Sequence, residues 1–112
     1  MQLDQDLLDN YVQSLGVEVI NKMLALYRQQ VAIYLVDIEK SLHSSKAELW
    51  QEHCHKMKGA AGSVGLKSVH AKLVLMEKTT AGIADKGQQL ADLKDHNQRA
   101  LVNFTAWLEK YN

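Results

Sequence analysis

Proline is absent from the 112 residues, and glycine occurs only six times. These two counts exclude collagen-like, linker-like and proline-rich disordered chains. One cysteine cannot form an intramolecular disulfide, and no apolar run approaches the roughly 18–20 residues of a membrane span. The start of the chain, residues 1–4, is acidic and lacks the charged and then apolar segments of a signal peptide. We therefore expect a cytoplasmic protein.

No excess of either charge is present, because 13 Lys and Arg residues balance 13 Asp and Glu residues. Proteins that coat DNA or a membrane normally carry an excess of basic residues, so a neutral chain is not expected to do so. The charges are nevertheless unevenly placed, since residues 53–84 contain five lysines and a single acid, Glu77. Charge alone leaves two interpretations open: a solvated basic face, or a local site for an anion or an acidic partner.

Apolar residues recur every three or four positions along nearly the whole chain, as they do in amphipathic helices. The pattern predicts a short first helix that ends near Gly16, a long helix over residues 20–42, and three further helices. Ser45 and Glu48 have the spacing of a capping box and predict the start of the third helix. We therefore predict an all-α fold, an antiparallel up-and-down four-helix bundle with a short extra N-terminal helix, as a single domain over residues 1–112.

Glycines and a change of periodicity predict the later helix ends. Gly62 and Gly65 are candidate terminators of the third helix. The fourth helix is expected to start near Lys67 and to fray around residues 82–87.

His53, Cys54 and His55 are adjacent and chemically suggestive, but their spacing argues against a metal site. Consecutive helical residues point about 100° apart and cannot converge on one ion. Cys54 also falls on the apolar stripe of the third helix, which predicts a small buried residue rather than a nucleophile. We predict no metal site.

His55 is the more promising histidine because of the residues one turn further along the helix. Lys58 and Gly59 follow it at three and four positions, where helical neighbours meet. A helical glycine costs about 1 kcal/mol relative to alanine. At Gly59 that cost leaves bare backbone beside the imidazole, and Lys58 places a positive charge beside any anion bound there. A boundary histidine without chemistry remains the alternative.

The run HKMKGAAGSVG at residues 55–65 resembles the signature of histidine-containing phosphotransfer (HPt) domains. The resemblance implies that His55 is phosphorylated and exchanges the group with an aspartate on a receiver domain. It also implies that Glu77, on the next helix, hydrogen-bonds the imidazole. Within the resemblance, we assign four residues to partner docking: Gln51, Glu52, Gly59 and Gly62.

No ATP-binding motif accompanies the signature, so we expect a phosphoryl carrier and not a kinase. The implied partners are the receiver domains of a hybrid sensor kinase and of a response regulator. We expect no cofactor on this chain, Mg²⁺ on the receiver, no nucleic-acid or membrane partner, and a monomer. The initial Met suggests a stand-alone protein, and a piece of a hybrid kinase is the alternative. A helical interaction module without phosphotransfer is the rival function.

Overall fold

Five helices joined by short loops make up the structure, a computed structural model that describes residues 2–111. The helices are α1 (Gln5–Leu15), α2 (Val17–Leu42), α3 (Ala47–Ser63), α4 (Lys67–Lys78) and α5 (Ile83–Glu109). Extended pairing among the described residues is limited to one isolated antiparallel bridge between Leu3 and Leu66. The predicted all-α class is confirmed.

Side-chain contacts between helices show that neighbouring helices run antiparallel. In the first half of α2, Arg28 donates a hydrogen bond to Thr105 near the end of α5 (2.9 Å). Near the end of α2, Glu39 accepts one from Lys94 in the first half of α5 (3.2 Å). Helices α2, α3, α4 and α5 contact one another in a closed ring, and α1 packs on α2. The predicted bundle with its extra N-terminal helix is confirmed.

The apolar stripes that predicted the helices form one core. On α3, Trp50, Cys54 and Met57 are all buried, as expected for one face of a helix. One polar pair lies in this interior, where the Tyr27 hydroxyl of α2 donates to Asn97 Oδ1 of α5 (2.6 Å). A satisfied pair of this kind fixes the register of two long helices, since a slip would leave buried polar atoms without partners.

A tight corner between α3 and α4 positions the two helices that carry the candidate site. Gly65 has φ +74°, a left-handed conformation that suits glycine. The Leu66 N–H donates to the Ala61 carbonyl (2.9 Å) and closes the end of α3. The N-terminal segment secures the same corner, because the Asp4 N–H donates to the Gly65 carbonyl (2.9 Å). Residues before α1 therefore hold the α3–α4 turn.

The capping box predicted for α3 is wrong. The helix begins at Ala47, and its N-cap residue, Lys46, makes no side-chain cap. The Ser44 hydroxyl instead accepts a bond from the Lys46 N–H (3.1 Å), a local turn that competes with helix formation. Ser45 therefore lies outside the helix, and Glu48 is too near its start to complete the box.

Two predicted helix ends also differ from those observed. Gly62 lies within α3, because the chain reverses at Gly65, where φ is positive. Helix α4 ends at Lys78 instead of continuing to residues 82–87, and Gly87 lies inside α5. Thr79 is extended, and its hydroxyl accepts from the Ala81 N–H (3.2 Å), which stabilises the turn.

In the described residues, no helix is long and apolar enough to cross a membrane.

Replacing Gly65 with alanine should destabilise the fold. The left-handed backbone costs a residue with a Cβ about 1–2 kcal/mol, and that Cβ would lie only 3.1 Å from Leu8. Urea unfolding should show a lower free energy of unfolding for Gly65→Ala. The control is Gly59→Ala, where nothing lies within 4 Å of the added Cβ and helix propensity predicts a gain of up to about 1 kcal/mol. Equal changes in both variants would contradict this account.

Candidate functional site

The His55 imidazole projects from the outer surface of α3 and is open to a large partner. Its side chain is 66% exposed. One turn further along, Gly59 is also exposed, and a Cβ built there would meet nothing within 4 Å. The missing side chain therefore leaves free space over the backbone beside the ring, as predicted.

One carboxylate from α4 links the two charged residues of the predicted signature. His55 Nδ1 lies 2.7 Å from Glu77 Oε1, and Lys58 Nζ lies 2.5 Å from Glu77 Oε2. Helical spacing puts His55 and Lys58 on the same side of α3, and the antiparallel α4 brings Glu77 between them. We call these three residues the His55–Glu77–Lys58 cluster. The structure thus brings all three predicted chemical residues together.

The charge state of Glu77 determines which ring nitrogen is available for chemistry. The hydrogen bond from Lys58 lowers the pKa of Glu77 most strongly, and the bond from His55 adds to that effect, although partial burial opposes it. Glu77 is therefore an ionised carboxylate at neutral pH and can only accept hydrogen bonds. Consequently, in the neutral imidazole of His55, Nδ1 carries the proton and Nε2 has the lone pair.

Lys58 contacts Glu77 in the structure, whereas the sequence analysis placed its charge beside an anion bound at His55. Its ammonium pairs with Glu77, and both side chains are mostly covered, at 23% and 20% exposure. Nearby lysines were the alternative partners for Glu77, but pairing with Lys58 together with the bond to His55 was not predicted. The signal for it was present, since Glu77 is the only acid among the residues of the basic stretch 53–84. The pair neutralises the carboxylate that orients the ring, so the cluster carries no net charge while the imidazole is neutral.

The predicted docking residues fall in two environments. Gln51, Glu52 and Gly59 are exposed on the face of α3 that carries His55. Gly62 instead faces α4, where a Cβ would come within 3.1 Å of the His70 ring. Gly62 therefore permits the close approach of α3 and α4, and its assignment to docking stays a prediction.

Other reactive groups of the segment lie outside this arrangement. Burial, and secondarily the charge of Glu77, raise the pKa of the Cys54 thiol to about 12, while Lys86 opposes this rise. The thiol is therefore protonated and buried at neutral pH. Among residues 2–111, no group of three or more His, Cys, Asp or Glu side chains is arranged to hold a metal ion.

The helical bundle therefore presents an exposed imidazole on its surface, and a carboxylate from the adjoining helix holds that imidazole. Residues 22–103 match the Hpt domain family, so the chain belongs to that family. It is thus a histidine phosphotransfer domain of a phosphorelay, as the resemblance implied. Domains of this kind interact with receiver domains.

Its similarity to individual proteins extends over almost the whole chain. It is 26% identical over 110 residues to the Aerobic respiration control sensor protein ArcB of Escherichia coli K12, and equally so to that of Shigella flexneri. The match covers 96% of this chain and 14% of either relative. It also resembles the solved histidine-containing phosphotransfer domain of ArcB from Escherichia coli, with a TM-score of 0.87, 26% identity, and coverage of 99% of this chain and 96% of that one.

Acid should remove the stabilisation that the ionised Glu77 supplies. The folded-state pKa of Glu77 is lowered from its usual 4.5, so its contribution is fully present above that value and is lost as the pH falls through the folded-state pKa. We expect wild-type protein to lose more free energy of unfolding than Glu77→Gln between roughly pH 6 and pH 3, measured by urea titration. Identical losses would show that the cluster adds nothing to stability.

Proposed function

We propose that His55 is the residue that carries the phosphoryl group, accepting it from the aspartyl phosphate of one receiver domain and passing it to the aspartate of another. The observation that carries the proposal is the bond from Nδ1 to Glu77, which leaves Nε2 of an exposed ring with a free lone pair. Among residues 2–111, His55 is the histidine in which an ionised carboxylate holds one ring nitrogen.

Transfer requires an in-line exchange of one bond for another. The Nε2 lone pair forms the N–P bond while the P–O bond to the receiver aspartate breaks, and the aspartate leaves as a carboxylate. The proton on Nδ1 stays in place, so the ring gains positive charge as the N–P bond forms. Glu77 already lies 2.7 Å from Nδ1 and stabilises that developing charge without reorganisation. The reverse exchange delivers the group to the second receiver.

Lys58 supports the same step in two ways. Its hydrogen bond lowers the pKa of Glu77 and so keeps that carboxyl ionised. An ammonium has three N–H donors, and one of them suffices for Glu77, so the others remain available to the phosphoryl oxygens. Lys58 thus provides positive charge beside the transferring group.

The receiver supplies what this chain lacks for the reaction. We assign no metal or cofactor to this chain and place Mg²⁺ in the acidic pocket of the receiver, beside the aspartyl phosphate. The proposed docking face comprises Gln51, Glu52, Gly59 and Gly62. Gln51, Glu52 and Gly59 lie exposed around His55, whereas Gly62 lies further along α3 beside α4. Docking on this face brings the reacting atoms into line, so catalysis rests on positioning and electrostatics.

The proposed role is that of a phosphoryl carrier without ATP-dependent kinase activity. We place it as a monomer between a hybrid sensor kinase and a response regulator, with neither nucleic acid nor membrane as a partner. The similarity to sensor proteins of aerobic respiration control supports an Arc-type pairing. We also propose that the exchange takes place in the cytoplasm. The single domain over residues 1–112 stays a prediction.

His55→Gln should abolish labelling by a phosphorylated receiver, because glutamine has no ring nitrogen to attack phosphorus. The measurement is transfer of radiolabelled phosphoryl from a panel of phospho-receivers, and the label should be acid-labile and stable to base. His70→Gln is the control and should retain labelling. Label that persists in His55→Gln would assign the site elsewhere, and no label on wild-type protein from any receiver would favour an interaction module.

Gly59→Gln should slow transfer by a factor of at least roughly ten, because its side chain fills the space that a docking receiver needs. Single-turnover transfer rates at several receiver concentrations measure this effect. Gly59→Ala is the matched control, since a methyl group meets nothing within 4 Å and should leave the rate nearly unchanged. A normal rate for Gly59→Gln would rule out the steric account.

A further inference from the structure

Trp50 joins the buried side of α3 to the end of α4 through a hydrogen bond. Its indole Nε1–H donates to the Met76 carbonyl at 2.8 Å, and the side chain is 1% exposed. The ring also lies beneath the Lys86 ammonium of α5, 5.2 Å from Nζ to the ring centroid. Trp50 is therefore fixed by contacts to two other helices.

The acceptor of this bond lies next to the functional carboxylate. The Met76 carbonyl belongs to the peptide group that leads directly into Glu77. Because α4 ends at Lys78, this carbonyl has no partner one full helical turn ahead. The Thr79 N–H reaches it only at 3.3 Å, whereas the indole N–H donates at 2.8 Å. The indole thus supplies the shorter bond to an otherwise poorly satisfied helix end.

Glu77 also occupies a position that a helix does not favour for an anion. It lies in the last turn of α4, where the partial negative charge of the helix C-terminus repels a carboxylate. Lys58 and His55 attract the carboxylate from one side, but the backbone beneath it must stay in place for both contacts to form at 2.5 Å and 2.7 Å. A frayed last turn would allow the carboxylate to move away from Nδ1.

We infer that Trp50 is a positioning residue for phosphotransfer, an inference that rests on the proposed function of His55. Its indole N–H holds the backbone of the last turn of α4, and this backbone holds Glu77 against the His55 ring. Helix α3 therefore carries both the phosphoryl acceptor and the group that positions the acceptor's hydrogen-bond partner. Trp50 itself touches neither the imidazole nor the incoming phosphoryl group.

The test is a double-mutant cycle on the transfer rate. Trp50→Phe keeps a buried aromatic ring but removes the donor, and it should slow single-turnover transfer from a phospho-receiver by roughly tenfold. In the Glu77→Ala background the same change should alter the rate by less than about twofold, since the group it positions is gone. Trp107→Phe, which removes the other tryptophan, is the matched control and should leave the rate unchanged in both backgrounds.

Stability and the ring tautomer distinguish positioning from a merely structural role. Urea unfolding should show a similar loss for Trp50→Phe in both backgrounds, whereas the loss of rate should appear only where Glu77 is present. The ¹⁵N shifts of the His55 ring should move from the Nδ1–H form towards the mixture of tautomers of an unrestrained histidine side chain. If Trp50→Phe does not fold, benzothienylalanine at position 50 keeps the shape of indole without the N–H and should give the same rates.

The outcomes separate the two proposals. Equal slowing by Trp50→Phe in both backgrounds, or no slowing with Glu77 present, overturns the positioning role, while loss of labelling in His55→Gln upholds His55. Wild-type protein that accepts no phosphoryl group from any receiver overturns both.

Discussion

Two donors on α3 and one carboxylate on α4 form the contact on which the proposed chemistry of this domain depends. Glu77 accepts from His55 Nδ1 and pairs with Lys58 Nζ, so a single carboxylate fixes the ring tautomer and keeps its own charge neutralised. Without Lys58, the carboxylate would lie uncompensated at the negative end of a helix. The orientation of the His55 ring, and with it of the proposed nucleophilic nitrogen, therefore follows from an ion pair between two helices.

That ion pair forms only because the bundle holds α3 and α4 in a defined register. The corner at Gly65 reverses the chain, Gly62 allows the backbone of α3 to approach the His70 ring, and the Trp50 indole ties the far end of α4. From the Gly65 corner to the end of α4, these contacts follow one another along the α3–α4 pair. Because the interior is close-packed, a shift at any level is transmitted to the last turn of α4.

The surface around His55 suits the proposed role of a carrier that meets two different receiver domains. The ring is exposed, Gly59 removes bulk beside it, and the buried machinery lies behind it. A carrier gains nothing from enclosing its nucleophile, because the water-excluding walls and the metal belong to the receiver in the proposed reaction. The chain's contribution is a preorganised imidazole on a rigid helix.

The sequence by itself determined the class of fold, because helical periodicity is a local property of the chain. The HPt-like spacing of His55, Lys58 and Gly59 is equally local, and it is what made His55 the proposed phosphoryl acceptor. The predictions from sequence were wrong at the start of α3 and at the end of α4. There the Ser44 and Thr79 hydroxyls accept hydrogen bonds from backbone N–H groups two residues away, and the spacing of apolar residues carries no sign of these bonds. Only the tertiary structure decided that Lys58 pairs with Glu77 and that Trp50 holds the Met76 carbonyl. The first contact joins residues 19 positions apart and the second joins residues 26 positions apart, so both form only when the two helices pack together.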